Sequence, residues 1–314
     1  MRRIVVTGMG AVSPLGIGTE LNWARLTAGR SGLRRLPDSI VGELGCKVAG
    51  IVPDGQEDEE GGFDPDRFVV PSDAARLIRA GEADVALCGG AEACINEVSL
   101  GGFAAARALS TGYNEDPHGA SLPFDAGREG FVMGEGAGLL VIEDLDHALG
   151  RGARPIAEIV GYGTTADAHH ITSGPEDGDG ARRAMEIALN QARVDPTAVG
   201  HLNAHATSTP VGDRGEIEAI KTVFGRDGAI AVSATKSATG HLLGAAGGLE
   251  AMFTILALRD QLAPPTRNLK NPDAAAEGLD IVGSSARSIS TEYAISNGFG
   301  FGGVNASVIF RQWR

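Results

Sequence analysis

Tyr293-Ala294-Ile295-Ser296-Asn297-Gly298, followed after further glycines by Ala306-Ser307-Val308-Ile309-Phe310, is the stretch on which the fold turns. It reads as a short strand, a glycine turn and a second strand able to return antiparallel. The same order stands earlier in the chain, where Asp84-Val85-Ala86-Leu87-Cys88-Gly89-Gly90 is followed by Gly138 to Glu143. A pattern that closes both residues 1–150 and residues 151–314 predicts a duplicated fold of two similar halves. Outward from these pairs, further strands are expected at Ile4 to Thr7, Ile156 to Val160, Gly200 to Ala204 and Ile230 to Ser233. Helical periods lie between them at Leu21 to Ala28, Ser72 to Ala80, Gly180 to Ala192, Arg214 to Phe224 and Leu243 to Arg259. Strands alternating with helices predict an α/β class with largely parallel sheets covered by helices.

The second half carries a full β-α-β-α-β-α-β-β order, and the first is short by two β-α units. At roughly 30 residues per βαβ unit the shortfall is at least about 60 residues. The gap is expected near Pro53 to Asp73, where Gln56-Glu57-Asp58-Glu59-Glu60-Gly61-Gly62 has linker composition and runs abruptly into a helical pattern.

At 314 residues, with 43% hydrophobic and 21% charged, the chain is long enough for a sizeable core and has an ordinary soluble balance. Glycine at 46 and aromatics at only 5% predict close backbone contacts and a core of Ala, Val, Leu and Ile. A net charge of −13 without a basic run speaks against nucleic acid and anionic membrane surfaces as partners. Three cysteines, Cys46, Cys88 and Cys94, form no CxxC pair and suit a reducing compartment, read as cytosol. The apolar start Ile4-Val5-Val6 is broken by Gly8, too early for a secretory signal.

Two segments concentrate chemistry. His201-Leu202-Asn203-Ala204-His205-Ala206-Thr207-Ser208-Thr209-Pro210 delivers a histidine from a strand end into a hydroxyl-rich loop. Ser233-Ala234-Thr235-Lys236-Ser237-Ala238-Thr239-Gly240-His241 places a lysine and a second histidine at a strand-to-helix turn. The glycines follow the lysine, so the order of a phosphate loop is absent, and no Cys pair or acidic cluster completes a metal set. Two imidazoles and an ammonium suit donation to an oxygen that gains negative charge, as when a thioester carbonyl becomes an enolate. That chemistry points to carbon–carbon bond reactions of acyl thioesters. A third segment, Ser296-Asn297-Gly298-Phe299-Gly300-Phe301-Gly302-Gly303-Val304-Asn305, offers backbone N–H groups and two aromatic rings beside an apolar tunnel, or a plain tight turn between strands. Gly8-Met9-Gly10 lacks the third glycine of a dinucleotide fingerprint.

These motifs, with Val5 to Gly16, Gly89-Gly90-Ala91-Glu92, Ala105 to Ser110, Pro123-Phe124-Asp125 and Gly130 to Gly138, resemble the β-ketoacyl-acyl-carrier-protein synthases, most nearly the type II bacterial branch. The resemblance implies a thiolase-like duplicated fold, with two mixed sheets sandwiched between helices and the first half incomplete, truncated near 53–74. It implies a condensing enzyme of fatty acid synthesis, an acyltransferase joining malonyl and acyl thioesters held on acyl carrier protein, with no cofactor and no metal, normally a homodimer. By motif, His205 and His241 bond the malonyl thioester carbonyl, Lys236 orients them, and Glu250 holds the network from behind. Thr207 and Thr209 contact the phosphopantetheine arm. Phe301 gates the acyl pocket, with Gly300 and Gly302 in its oxyanion loop and Phe299 beside the substrate. Asp167 to Ser173, including Thr172, forms a second gating loop, and Arg107 meets the carrier protein.

The family's nucleophile is a cysteine in an elbow at the end of the third strand of the first half, and this sequence has no such motif. Condensation needs an acyl-enzyme and so is expected to be impaired, whereas decarboxylation of a malonyl thioester needs only the imidazoles and oxyanion donors. The alternatives are a residual malonyl decarboxylase and a non-catalytic partner of the chain-length-factor kind. In a strand order of 3-2-1-4-5, loss of strands two and three leaves Ile4 to Thr7 as a bare apolar edge and removes the strand that pairs across the dimer.

Overall fold

The computed structural model describes residues 2–53, 78–79, 81–170, 173–226, 228 and 230–314. Most of the expected helix over 72–80, the acidic segment 56–62 and Thr172 lie outside the described residues.

The first half supplies β1 (Ile4–Ser13), α1 (Thr19–Thr27), β2 (Val85–Glu92), α2 (Glu97–Ala105) and β3 (Gly136–Asp144). The second supplies β4 (Ala157–Ala166), α3 (Asp179–Ala192), β5 (Val199–Asn203), α4 (Pro210–Phe224), β6 (Ala231–Ser233), α5 (Ala246–Asp260), β7 (Asp280–Ile281), β8 (Tyr293–Gly300) and β9 (Val304–Gln312). Every strand expected from the sequence is present. Several continue through glycines that end the apolar run, because a strand needs hydrogen-bond register more than side chains.

The order across the sheet is β7-β6-β5-β8-β9-β4-β1-β3-β2. The half-sheets meet where Ile4, Val5 and Val6 pair antiparallel with Ile159, Glu158 and Ala157. β2 and β3 pair antiparallel from Val85↔Glu143 to Glu92↔Gly136, matching β8 and β9 from Tyr293↔Arg311 to Gly300↔Val304. The internal echo of the sequence is therefore a structural one.

The strand order corrects one expectation. Counting the five expected strands of the second half and leaving aside the two-residue β7 at the sheet edge, the first, β4, lies beside the last, β9, and the second, β5, lies beside the fourth, β8. The order is 3-2-4-5-1, not 3-2-1-4-5. The tight turn Phe301 to Gly303 makes the last two strands neighbours in either order; the difference lies in β4, which pairs with β9 on one side and with β1 of the first half on the other instead of standing between β5 and β8. In the first half the same order makes β2, not Ile4 to Thr7, the outer strand among the described residues. Ile4, Val5 and Val6 pair on both sides and are buried, whereas Val85 and Leu87 are 47% and 39% exposed.

The core is centred on α5, whose Leu249, Met252, Phe253, Ile255, Leu256 and Leu258 are all buried. A helix apolar on every side belongs inside, and α5 touches β2 and β3 of the first half and β5, β8 and β9 of the second. Its first turn lies directly on backbone, since a Cβ on Gly138 would fall 2.1 Å from the Leu249 nitrogen and one on Gly248 2.1 Å from the Gly138 oxygen. That contact is one use of the high glycine content. A second cluster packs α3 and α4 against β5, β6, β8 and β9. Among the described residues no helix is long and apolar enough to cross a membrane.

Candidate functional site

Two parallel strands, β5 and β6, end on the same side of the sheet, and their following loops carry the two histidines. The turn between β8 and β9 closes the same region, and together they line a cavity of about 760 Å³. His205, His241, Thr207, Thr209, Phe299 and Phe301 all face it.

The imidazoles of His205 and His241 stand edge to face, with ring centroids 5.2 Å apart at 88°. His205 is held through its backbone, because its N–H and that of Ala206 donate to the two oxygens of Glu216 at 2.9 and 2.7 Å. His241 is clamped by the first half, donating its N–H to Val132 O at 2.7 Å and accepting from Gly134 N at 2.9 Å. Its Nδ1 accepts from Leu243 N at 3.3 Å, which leaves its proton on Nε2. Burial pulls both histidines well below the usual imidazole range, with Lys236 acting in the same direction. The pair is neutral at pH 7, so each ring offers one N–H donor without bringing a full charge.

Lys236 is brought close to the pair but does not line the cavity. Its ammonium is 1% exposed and donates to Glu250 Oε1 from within the core. Burial, with Glu216 nearby, raises the Glu250 carboxyl to about 7 against the pull of Lys236. The lysine thus acts on the imidazoles through space, from behind.

The glycine turn serves both readings offered by its sequence, since it joins antiparallel strands and also lines the cavity. Gly302 and Gly303 have φ of 81° and 76°, a region that favours glycine. Gly300 reaches the cavity and Gly302 does not. Phe301 is 48% exposed, with its ring 6.0 Å from Phe103 and 6.4 Å from Phe131. Phe299 lies 5.6 Å from His205. Asp167 and Ser173 also line the cavity, and Asp167 accepts from Asn305 Nδ2 at 2.6 Å while donating its own N–H to Gly303 O. Arg107 lies at the exposed rim.

Sequence reasoning missed Glu216, Asp213 and Asn297. Asn297 donates to Glu216 Oε1 at 3.1 Å and accepts from Ser307 Oγ, so the strand before the glycine turn braces the carboxylate beneath His205. Asp213 accepts from Phe124 N and Thr209 N. Both acids lie in the first two turns of α4, three residues apart, directly after a Thr-Ser-Thr loop, and that placement was the available signal.

Burial raises Asp213 from its ordinary 3.8 to about 7. A native carboxyl with a raised pKa binds more protons than the unfolded one, so its contribution to stability is largest at low pH and falls as pH rises from about 4 to 7. The destabilisation caused by Asp213→Asn is therefore expected to be smaller at pH 8 than at pH 5, as read by urea unfolding at the two pH values.

Comparisons with known proteins bear on the whole chain. Residues 1–77 and 68–148 match the family Beta-ketoacyl synthase, N-terminal domain, and residues 156–270 match Beta-ketoacyl synthase, C-terminal domain. The 3-oxoacyl-[acyl-carrier-protein] synthase 2 of Rhizobium meliloti (strain 1021) is 37% identical over 421 residues, covering 100% of this chain and 99% of that protein. The chain belongs to the β-ketoacyl synthase family. The synthase of the same name from Vibrio harveyi is 51% identical over 243 residues, which cover 76% of this chain but only 58% of the relative. A ketosynthase structure solved with its type II PKS acyl-carrier protein and bound to the hexaketide superposes with a TM-score of 0.89 at 27% identity, covering 100% of both chains. The fold is thus the thiolase-like duplicated fold of ketosynthases.

In this β-ketoacyl synthase none of the three cysteines lines the cavity. Cys46 is buried in an apolar cluster, and burial raises its pKa. Cys94 is pushed up to about 12 by burial and by Glu92. Thiols held protonated are poor nucleophiles. Cys46 and Cys94 are expected to resist iodoacetamide in the native protein at pH 8 and to react fully in urea, as checked by peptide mass spectrometry.

Proposed function

We propose that the chain is a β-ketoacyl-acyl-carrier-protein synthase of fatty acid synthesis whose retained chemistry is decarboxylation of a malonyl thioester, with the condensation step impaired. The observation that carries this reading is the perpendicular pair of neutral imidazoles, 5.2 Å apart, facing a cavity on which no cysteine lies. Decarboxylation turns the thioester carbonyl oxygen into an enolate oxygen, and N–H donors from two neighbouring imidazoles bonded to it favour that charge over the ground state. Condensation requires a covalent acyl-enzyme, for which the described cavity offers no thiol.

In this reading the malonyl thioester reaches the site on the phosphopantetheine arm of acyl carrier protein, past Arg107 and between Thr207, Thr209 and the Phe301 gate, with Thr172 on the second gating loop. No free cofactor is needed, and the setting is the reducing cytosol. The nucleophile elbow belongs to a segment missing between Pro53 and Asp73. Two facts support that placement: the Rhizobium alignment runs over 421 residues against 314 here, and the N-terminal family match falls into two pieces that meet at 68–77. With that segment go two strands that would lie outside β2, including the one expected to pair across a homodimer.

The test is release of carbon dioxide from malonyl-acyl-carrier protein by purified chain, alongside formation of 3-oxoacyl product when an acyl thioester of acyl carrier protein is added as the acyl donor. Carbon dioxide without product supports the proposal. No release above that of a His205→Ala control overturns it.

A further inference from the structure

Behind the cavity wall lies a charged group that the chemistry above does not use. The Arg128 side chain is 3% exposed and does not reach the cavity. Its Nε donates to Thr209 O at 3.1 Å, one terminal nitrogen to Pro210 O at 2.9 Å, and the other to Asp125 O at 2.8 Å. Asp273 lies 2.8 Å and Asp213 3.7 Å from the guanidinium. The rest of the loop is fastened to the same turn: Leu122 N donates to Ser208 Oγ at 3.0 Å, and Asp213 accepts from both Thr209 N and Phe124 N. Ser208 and Phe124 both have positive φ, 71° and 64°, so the loop and the turn are held in conformations that non-glycine residues adopt only under constraint.

The product of these bonds is the placement of two hydroxyls. Thr207 and Thr209 lie 3.1 Å apart, oxygen to oxygen, on the cavity wall. Thr209 O already accepts the first helical bond, from Asp213 N at 3.1 Å, and the forked cation adds a second bond there and one to Pro210 O, tying the strained loop and the helix start to the Asp125 turn.

We infer that Arg128 is a positioning residue for the thioester arm, its guanidinium fixing the Thr207–Pro210 loop so that both hydroxyls meet the pantetheine portion of the substrate. The inference rests on the proposed function for the identity of the arm. A lysine in its place keeps the charge but offers a single point donor that cannot span Thr209 O, Pro210 O and Asp125 O together.

The experiment compares wild type with Arg128→Lys by calorimetric binding of pantetheine, and by decarboxylation of malonyl-pantetheine and of malonyl-N-acetylcysteamine, which lacks most of the arm. Arg128→Lys is expected to weaken pantetheine binding about tenfold, the loss of one or two well-placed hydrogen bonds. KM for malonyl-pantetheine should rise by a similar factor with kcat nearly unchanged, and KM for the short substrate should stay the same. Equal affinity for pantetheine in the two proteins, or equal loss on both substrates, overturns the inference. If Arg128→Lys does not fold, Asp273→Asn decides, since it removes an ion-pair partner of the guanidinium: weakened pantetheine binding supports the role and unchanged binding refutes it. Wild type that binds pantetheine yet releases no carbon dioxide would sink the proposed activity while leaving the binding comparison intact. Wild type that does not bind pantetheine would overturn the arm-positioning role itself.

Discussion

Replacing His241 with alanine is expected to lower carbon dioxide release from a malonyl thioester by about 10²–10³-fold, the usual cost of removing one donor from an oxyanion site. His241 has its Nδ1 engaged by Leu243 N and its backbone fixed by Val132 and Gly134, so its Nε2–H has one direction in which to point. His205, perpendicular to it at 5.2 Å, supplies the second donor. His205→Ala should cost a similar factor. The double variant should cost much less than the product of the two, because groups acting on one oxygen are not additive. Binding of the pantetheine portion should be little changed, so the loss should appear in kcat. Either single variant working at the wild-type rate would show that the two rings do not share a task.

Lys236→Met is expected to destabilise the fold by about 1–3 kcal/mol, as measured by urea unfolding at pH 7, because it leaves the Glu250 carboxyl buried without its hydrogen-bond partner and protonated. Lys236 and Glu250 are 1% and 4% exposed, so neither can turn to water. Replacing both, in Lys236→Met/Glu250→Leu, should recover most of that stability, since well-packed apolar groups often substitute for a buried pair. The double variant also separates stability from chemistry. Lys236 helps depress the pKa values of His205 and His241, so removing its charge lets both rings protonate at higher pH. The acid limb of the decarboxylation profile should therefore move upward. An unmoved profile in a well-folded double variant would limit Lys236 to a structural part.

Much of the architecture was legible because strand and helix periods, and the echo between Val85 to Glu143 and Tyr293 to Phe310, are local patterns. His205, His241, Thr207, Thr209 and Phe299 were legible for a related reason: each lies at a strand end or in its following loop, where an α/β sheet gathers its chemistry. What could not be read was the choice of neighbour between elements far apart in the chain. The strand order was misjudged because β4 takes its partners, β9 and β1, from residues far away in the chain, and no local pattern announces that choice. Lys236 was expected to join the histidines on one oxygen, yet it points into the core because Glu250, fourteen residues on, claims its ammonium. Glu216 and Arg128 escaped notice because most of their hydrogen bonds go to backbone groups and their side-chain partners, Asn297 and Asp273, lie far away in the chain.

By itself the sequence determined the class of fold, the duplication, the pair of imidazoles and the lack of a cysteine elbow, since residue type and spacing along the chain suffice for each. Only the tertiary structure decided which strand lies outermost, which faces of the histidines meet, and which buried charges hold their loops. Those are matters of distance between residues far apart in the chain, and burial, which turns a carboxylate or a guanidinium into a fixed anchor, exists only once the chain has closed around it.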